Sequence, residues 1–137
     1  MLRQFYMNGD CWRIEFVPPY SDVLIDRTGN RTLAVSDYST KTISIANNIH
    51  EELLTRVFIH ELGHCTMYSY GLLPMLHWMV KKRYWVDAEE WCCNLLADYG
   101  GFVVRIAKDV LGNEFTCIIP TIEAERMSEY WLILQKI

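Results

Sequence analysis

Hydrophobic and polar residues alternate in short segments of the first third of the chain. Between Trp12 and Val17 apolar and charged residues take turns, as in a strand with one buried face, and Pro18-Pro19 ends the segment. Residues 31–36 and 41–46 predict two more strands around a turn at 37–40, and residues 22–26 form either a short strand or a turn of helix. We therefore expect a small antiparallel or mixed sheet, with Thr42 to Ala46 at one edge.

A helical period replaces this alternation from position 51 onward. Glu51 and Glu52 suit the positive N-terminal end of a helix dipole, and Asn47 or Asn48 is expected to cap it. Gly63 costs about 1 kcal/mol relative to alanine inside a helix, which indicates that another segment approaches closely there. The apolar residues that recur three or four positions apart are Leu53, Leu54, Val57, Phe58, Leu62 and Cys65.

A second helix is predicted from Asp87 to Tyr99, closed by Gly100-Gly101. Asp87 is expected to cap it, with Glu90 completing a capping box. This helix is expected to continue over Val103–Leu111, and a final amphipathic helix is predicted from Ile122 to Gln135. The predicted fold class is therefore α+β, with the sheet packed on two helices. We found no repeat or linker, so residues 1–137 are predicted to form a single domain. An apolar stripe is expected on the second helix, formed by Trp91, Leu95 and Tyr99.

Composition and charge narrow the class of protein. A net charge of −4 with one short basic run at 81–83 argues against a nucleic-acid-binding surface. We found no signal peptide and no apolar stretch near the ~20 residues that a membrane span needs. Five cysteines are an odd set that does not suit a disulfide framework, so we expect a reducing, cytoplasmic location.

The sequence His60-Glu61-Leu62-Gly63-His64 lies within the first predicted helix. Histidines four positions apart lie on the same side of a helix, so both imidazoles can reach one Zn²⁺ ion. Glu61 between them is placed to take a proton from a water that the metal activates. The alternative is that both histidines are simply half-buried on a core helix. We favour the zinc site, with His60 and His64 as ligands and Glu61 as the catalytic base.

A catalytic zinc ion needs a third protein ligand, for which the second helix offers Glu89 and Glu90. Glu90 is the preferred candidate, because Asn94 lies one turn further on the same side and can support a ligating histidine. Glu89 instead shares its side of the helix with less polar residues. The longer metzincin pattern is excluded, since Met67 and Tyr70 stand where it needs glycine and histidine. Further candidate ligands are His77, Asp87 and Asp98.

These motifs resemble those of zincin metallopeptidases. The segment from Val57 to Thr66 is similar to the extended zincin signature, and a downstream helix with a ligating glutamate is similar to the gluzincin arrangement. From Asp37 to Gly101 the layout resembles small ImmA/IrrE-like proteins and phage- or mobile-element-encoded minimal zincins. The resemblance implies a zinc-dependent endopeptidase that acts on a protein or peptide, for example a regulatory protein, paired with the sheet edge. The alternative is a non-catalytic zincin-fold protein that binds zinc and sequesters a partner.

Overall fold

A computed structural model describes residues 1–120 of the chain, which combine one sheet with several helices. The sheet is mixed and has the strand order β1-β2-β4-β3. Strands β2 and β4 are parallel, and both outer pairs are antiparallel. The predicted α+β class with a small mixed sheet is therefore confirmed. Its strands are β1 (Gln4–Met7), β2 (Asp10–Val17), β3 (Ala34–Asp37) and β4 (Thr42–Ala46).

The prediction that Thr42–Ala46 forms a sheet edge is wrong. This strand, β4, lies between β2 and β3, and its residues Ile43, Ile45 and Ala46 are almost completely buried. Because β2 runs parallel beside β4, a connection must cross over between them, and local alternation does not reveal which neighbour a strand takes. The edge on this side of the sheet is β3 (Ala34–Asp37).

The HELGH sequence lies in the longest helix of the described residues, α1, as the helical period predicted. The helical elements are α1 (Glu51–Ser69), α2 (Leu73–Met79), α3 (Trp85–Leu95), a π-helical segment (Leu96–Gly100) and α4 (Gly101–Leu111). Residues 22–26 form a short 3₁₀ turn over Asp22–Leu24. The described residues divide into two units, one over Met1–Val103 and one that begins at Val104. The predicted final helix from Ile122 to Gln135 lies outside the described residues.

Both predictions of helix caps are wrong. Helix α1 begins after His50, so Asn47 and Asn48 lie outside it, and helix α3 begins at Trp85, which places Asp87 in its first turn. Neither residue at the N-cap position makes a side-chain capping bond. These two helices therefore depend on packing more than on their caps.

The core lies between the sheet and α1. Trp12 of β2 is fully buried, and its indole Nε1 donates a hydrogen bond to Oγ of Ser69 at the end of α1, at 2.9 Å. This bond ties β2 to the C-terminal end of the helix that carries both histidines. The buried residues around it are Ala34, Ile43, Ile45, Ile49 and Cys65. The sheet thus fixes the helix on which the candidate site is built.

The apolar stripe predicted on the second helix does not enter this core. Trp91, Leu95 and Tyr99 are 64%, 46% and 60% exposed. The buried side of α3 instead carries Glu89 and Cys93, because these residues face α1. Within residues 1–120 no helix has the length and apolar character needed to cross a membrane.

Candidate metal centre

The two histidines of α1 lie one helical turn apart with their ring nitrogens facing each other. Nε2 of His60 and Nε2 of His64 are 3.1 Å apart. His64 is buried, while the side chain of His60 retains 19% exposure. The spacing of four residues that the sequence shows therefore does bring both imidazoles to one point.

Glu90 of α3 lies opposite this pair. Its Oε2 is 3.0 Å from Nε2 of His60, and its Oε1 is 3.3 Å from Nε2 of His64. A tetrahedral zinc ion holds nitrogen and oxygen ligands at about 2.0–2.2 Å, which sets the ligand atoms roughly 3.3–3.6 Å from one another. The distances among the three side chains are therefore close to the spacing between ligands of a tetrahedral zinc ion, with a different oxygen of Glu90 meeting each histidine.

The opposite ring nitrogens are held by α3. Nδ1 of His60 donates to Oδ1 of Asn94, and Nδ1 of His64 donates to Oε1 of Glu89, both at 2.8 Å. Since these oxygens only accept, each Nδ1 must carry the hydrogen. In the neutral rings both Nε2 lone pairs then point into the 3.1 Å gap between them. Only a cation, either a proton or a metal ion, relieves that repulsion.

Without a metal, the proton takes this position. Burial of His64 disfavours its charged form, but hydrogen bonds with Cys93, Glu89 and Glu90 outweigh burial and raise the pKa of His64 to about 12. The same contacts with His60 and His64 hold the pKa of Glu90 far below its usual range. The anionic Glu90 and the two facing Nε2 atoms thus favour a positive charge between the rings. These nitrogen and oxygen donors are of the kind that a zinc ion takes.

Glu89 is the most confined acidic side chain of the site. It is only 2% exposed, and it receives a hydrogen bond from the Tyr38 hydroxyl and an ion pair from Nη1 of Arg27 at 2.9 Å, in addition to His64. Burial raises its pKa, but the bonds from His64 and Tyr38 and the charge of Arg27 prevail and lower the pKa to about 2. Glu89 therefore remains an anion behind His64, and its oxygens are directed away from the pair of Nε2 atoms.

Glu61 is buried beside the histidines at the β3 edge. Its Oε2 accepts a hydrogen bond from Oγ of Ser36, which belongs to β3. This contact orients one carboxylate oxygen toward the strand, while the backbone of Glu61 continues α1 between the two histidines. A base at this location is within the same cleft as His60, His64 and Glu90.

Gly63 is the point at which α3 approaches α1. A Cβ atom at this position would lie 2.9 Å from Sγ and 3.2 Å from the backbone Cα of Cys93. The expectation that another segment comes close at Gly63 is therefore confirmed, and the segment is α3. As a result Cys93 is completely buried against the histidine turn. The Cys93 thiol and one ligand atom from each of His60 and His64 all lie within 4.8 Å of one another.

The other residues that the sequence offered as ligands have different neighbours. His77 stacks on Trp85 with ring centroids 4.1 Å apart, and Asp87 is exposed. Asp98 forms an ion pair with Arg56 at the rim of the cleft. The structure thus brings Glu90, and not these three, to the Nε2 atoms of both histidines.

The site opens into a cleft of ≈ 980 Å³ that runs along β3. Its walls include residues 32–38 from the edge strand and the approach to it, and the turn that carries Arg27. Arg27 approaches Glu90 as well as Glu89, with Nη2 3.6 Å from Oε1 of Glu90. A segment of polypeptide therefore has space beside Glu61 and the histidine pair.

Sequence reasoning missed the part that four residues take in the site, and three of them come from distant parts of the chain. Arg27 and Tyr38 support Glu89 from 62 and 51 positions away, and Ser36 lies 25 positions before Glu61. Cys93 carried one usable signal, since Gly63 required a close neighbour. Asn94 was foreseen, and its hydrogen bond to His60 is present.

Comparison of the chain with models of protein families, with curated proteins and with solved structures found no match.

Proposed function

We propose that the protein is a zinc-dependent endopeptidase of the gluzincin type, resembling the small ImmA/IrrE-like zincins. His60, His64 and Glu90 would hold the metal ion. The observation that supports this most directly is the set of donor distances of 3.0, 3.1 and 3.3 Å among these three side chains. The same cleft contains Glu61, which a purely structural zinc site does not need.

Zinc in such a site supplies a Lewis acid, which polarises the scissile carbonyl and lowers the pKa of a water toward ~7. Glu61 accepts the proton of the attacking water and later passes it to the leaving amine nitrogen. Ser36 restrains the carboxylate of Glu61 by donating a hydrogen bond to its Oε2. Asn94 and Glu89 fix the ring planes of the two ligating histidines through Nδ1.

The substrate we propose is an extended segment of a protein or peptide, for example of a regulatory protein. Strand β3 borders the cleft, and among residues 1–120 it has a neighbouring strand, β4, on one side only. An extended chain can add to such an edge through backbone hydrogen bonds. This assigns to β3 the role that the sequence had suggested for Thr42–Ala46.

We also place the protein in a reducing, cytoplasmic compartment. All five cysteines are free, and Cys65 and Cys93 are buried as single thiols. A secreted domain of this size with five cysteines would be expected to pair most of them.

The metal site is tested by elemental analysis of the purified protein. We expect one zinc per chain in the wild type, and loss of most of it in Glu90→Gln, because that change removes a charged ligand at similar volume. Glu89→Gln is the comparison, since it alters the neighbouring carboxylate that supports His64 from behind, and it should lower the zinc content less than loss of a ligand does. Absence of zinc in the wild type after reconstitution, or equal loss in both variants, would contradict the proposed ligand set.

The peptidase activity is tested with Glu61→Gln in a peptide library read by mass spectrometry. This variant should retain zinc and fold while losing cleavage, because only the proton acceptor is removed. Cleavage by Glu61→Gln at the wild-type rate would exclude Glu61 as the base. If Glu61→Gln lost cleavage but kept the biological effect of the wild type, the alternative of a non-catalytic zinc-binding protein would replace the enzyme.

A further inference from the structure

Cys93 is a donor group at the metal centre that the proposed mechanism does not use. Its thiol is fully buried and lies within 4.8 Å of ligand atoms of both His60 and His64. Thiolate sulfur is a preferred ligand of zinc and of other borderline-soft divalent ions. One ion between the histidines is therefore near two different donors of α3, a carboxylate and a thiol.

The positions of these donors on α3 make joint coordination reasonable. Cys93 follows Glu90 by three residues and Glu89 by four, so it lies next to both on the side of α3 that faces α1. The absence of a side chain at Gly63 lets α3 approach closely enough to bring Cys93 against the histidine turn. With a larger residue at 63, the thiol would be displaced from the two imidazoles.

We propose that Cys93 is a fourth protein ligand, which completes the coordination of the metal by His60, His64 and Glu90 in the resting protein. This inference rests on the proposed function and adds a form of regulation to it. Four protein ligands satisfy a tetrahedral zinc ion, and a closed site leaves no position for the water that hydrolysis requires. The resting protein is then latent, and it becomes active when the Cys93 thiolate leaves the metal.

Cobalt substitution tests the proposal without reference to activity. Co²⁺ bound to a thiolate shows an intense near-ultraviolet charge-transfer band, in addition to the visible bands that any tetrahedral Co²⁺ site gives. We expect this band in the wild-type protein and its loss in Cys93→Ser, with the visible bands retained. Cys92→Ser is the matched control, because Cys92 is adjacent in sequence, only partly buried, and does not belong to the metal-binding group. That variant should keep both sets of bands.

Activity supplies the second measurement. Cys93→Ala should cleave library peptides faster than the wild type at equal zinc content, because water gains the fourth position. A thermal unfolding scan shows whether each Cys93 variant remains folded. If Cys93→Ser destabilises the protein, Cys93→Ala takes its place in the cobalt measurement.

The outcomes separate the two proposals. Visible bands without the near-ultraviolet band in the wild type would overturn the role of Cys93 and leave the His60, His64 and Glu90 site intact. Persistence of the band in Cys93→Ser would also overturn it, since another thiol would be the ligand. Absence of any bound Co²⁺ or Zn²⁺ would overturn the proposed function itself.

Discussion

Glu89 and Glu90 are neighbours of the same type on one helix, yet they occupy two different regions of the site. The back of the site is the Nδ1 side of the histidines, where Glu89 is 2% exposed and has three partners, His64, Tyr38 and Arg27. The front of the site is the Nε2 side, where the Glu90 side chain is 42% exposed and lies across the gap between both rings.

This difference shows how one helix places one carboxylate behind a histidine and another in front of the histidine pair. Successive helical residues are about 100° apart, so two adjacent glutamates cannot take the same place against α1. At the back, buried partners fix the charge and position of Glu89 before any metal arrives. At the front, Glu90 keeps the exposure that an exchangeable ligand needs. Substitution of Glu89 should therefore lower the stability of the fold much more than substitution of Glu90 does.

The largest expected effect is on folding, and it concerns the back of the site. Glu89→Ala leaves His64, Tyr38 and Arg27 without their common acceptor, and breaking a buried charge pair costs about 3–5 kcal/mol. Glu90→Ala, at a half-exposed position, should lower the free energy of unfolding by less than about 1 kcal/mol. Urea unfolding of both variants in the presence of a chelator measures the difference. Equal losses in the two variants would mean that the back of the site is not the more rigid region.

The pH dependence of this stabilisation follows from the pKa of Glu89. Its pKa is lowered from 4.5 to about 2, so the charged form is favoured by folding. The contribution of Glu89 is therefore fully present above the ordinary carboxyl pKa and is lost as the pH falls toward 2. In Glu89→Ala this acid-dependent part of the unfolding free energy should disappear.

A second effect concerns the competition between proton and metal at the front of the site. In the metal-free protein the pKa of His64 is raised from 6.5 to about 12, so its imidazole is protonated at neutral pH. The stabilisation that protonated His64 gives the fold is fully present below the pKa of histidine in the unfolded chain. It is lost only as the pH rises through the raised pKa of His64 in the folded protein. Zinc must displace that proton, and its affinity should rise about tenfold per pH unit around neutrality.

Calorimetric titration of zinc in buffers of different ionisation enthalpy counts the released protons directly. We expect at least one proton per zinc ion after correction for the buffer. A zinc affinity that does not change between about pH 6 and pH 8 would show that His64 is already neutral before the metal binds.

A smaller effect on zinc affinity should follow when His60 alone loses its hydrogen-bond partner at Nδ1. Asn94→Ala removes the acceptor of His60 Nδ1 but leaves all three proposed ligands in place. Loss of such an outer hydrogen bond typically lowers metal affinity by about 10–100-fold. Competition with a chromogenic chelator measures the change. Ala97→Ser, one helical turn beyond Asn94, is a control that should leave zinc affinity unaltered.

The sequence predicted those parts of the site that depend on helix geometry. His60 and His64 are four residues apart, and Glu90 and Asn94 are also four apart, so periodicity alone puts each pair on one side of its helix. The preference for Glu90 over Glu89 also rested on that spacing. It remains a prediction until metal binding is measured.

What the sequence did not reveal depends on long-range neighbours. Arg27 and Ser36 reach the site through the order of the strands, and the alternation of apolar residues contains no information about that order. The same limit explains why Thr42–Ala46 was expected at an edge. The prediction that a stripe on α3 is buried was wrong for another reason, and it concerned Trp91, Leu95 and Tyr99. The residues of α3 that face α1, and are therefore buried, are Glu89 and Cys93.

The contact between Gly63 and Cys93 depends both on local helix propensity and on a long-range neighbour. Substitution of Gly63 gives the smallest predicted effect on stability. Alanine has the higher helix propensity, by about 1 kcal/mol, so Gly63→Ala would stabilise an isolated helix. Here its Cβ would lie 2.9 Å from Sγ and 3.2 Å from Cα of Cys93, and overpacking of this kind costs about 1–3 kcal/mol. We expect a net loss of stability of about 1 kcal/mol. Gly101→Ala is the matched control, because no atom lies within 4 Å of its new Cβ, and it should stabilise the protein. If thermal unfolding showed both variants to be stabilised, α3 could not be held against the histidine turn as tightly as the site requires.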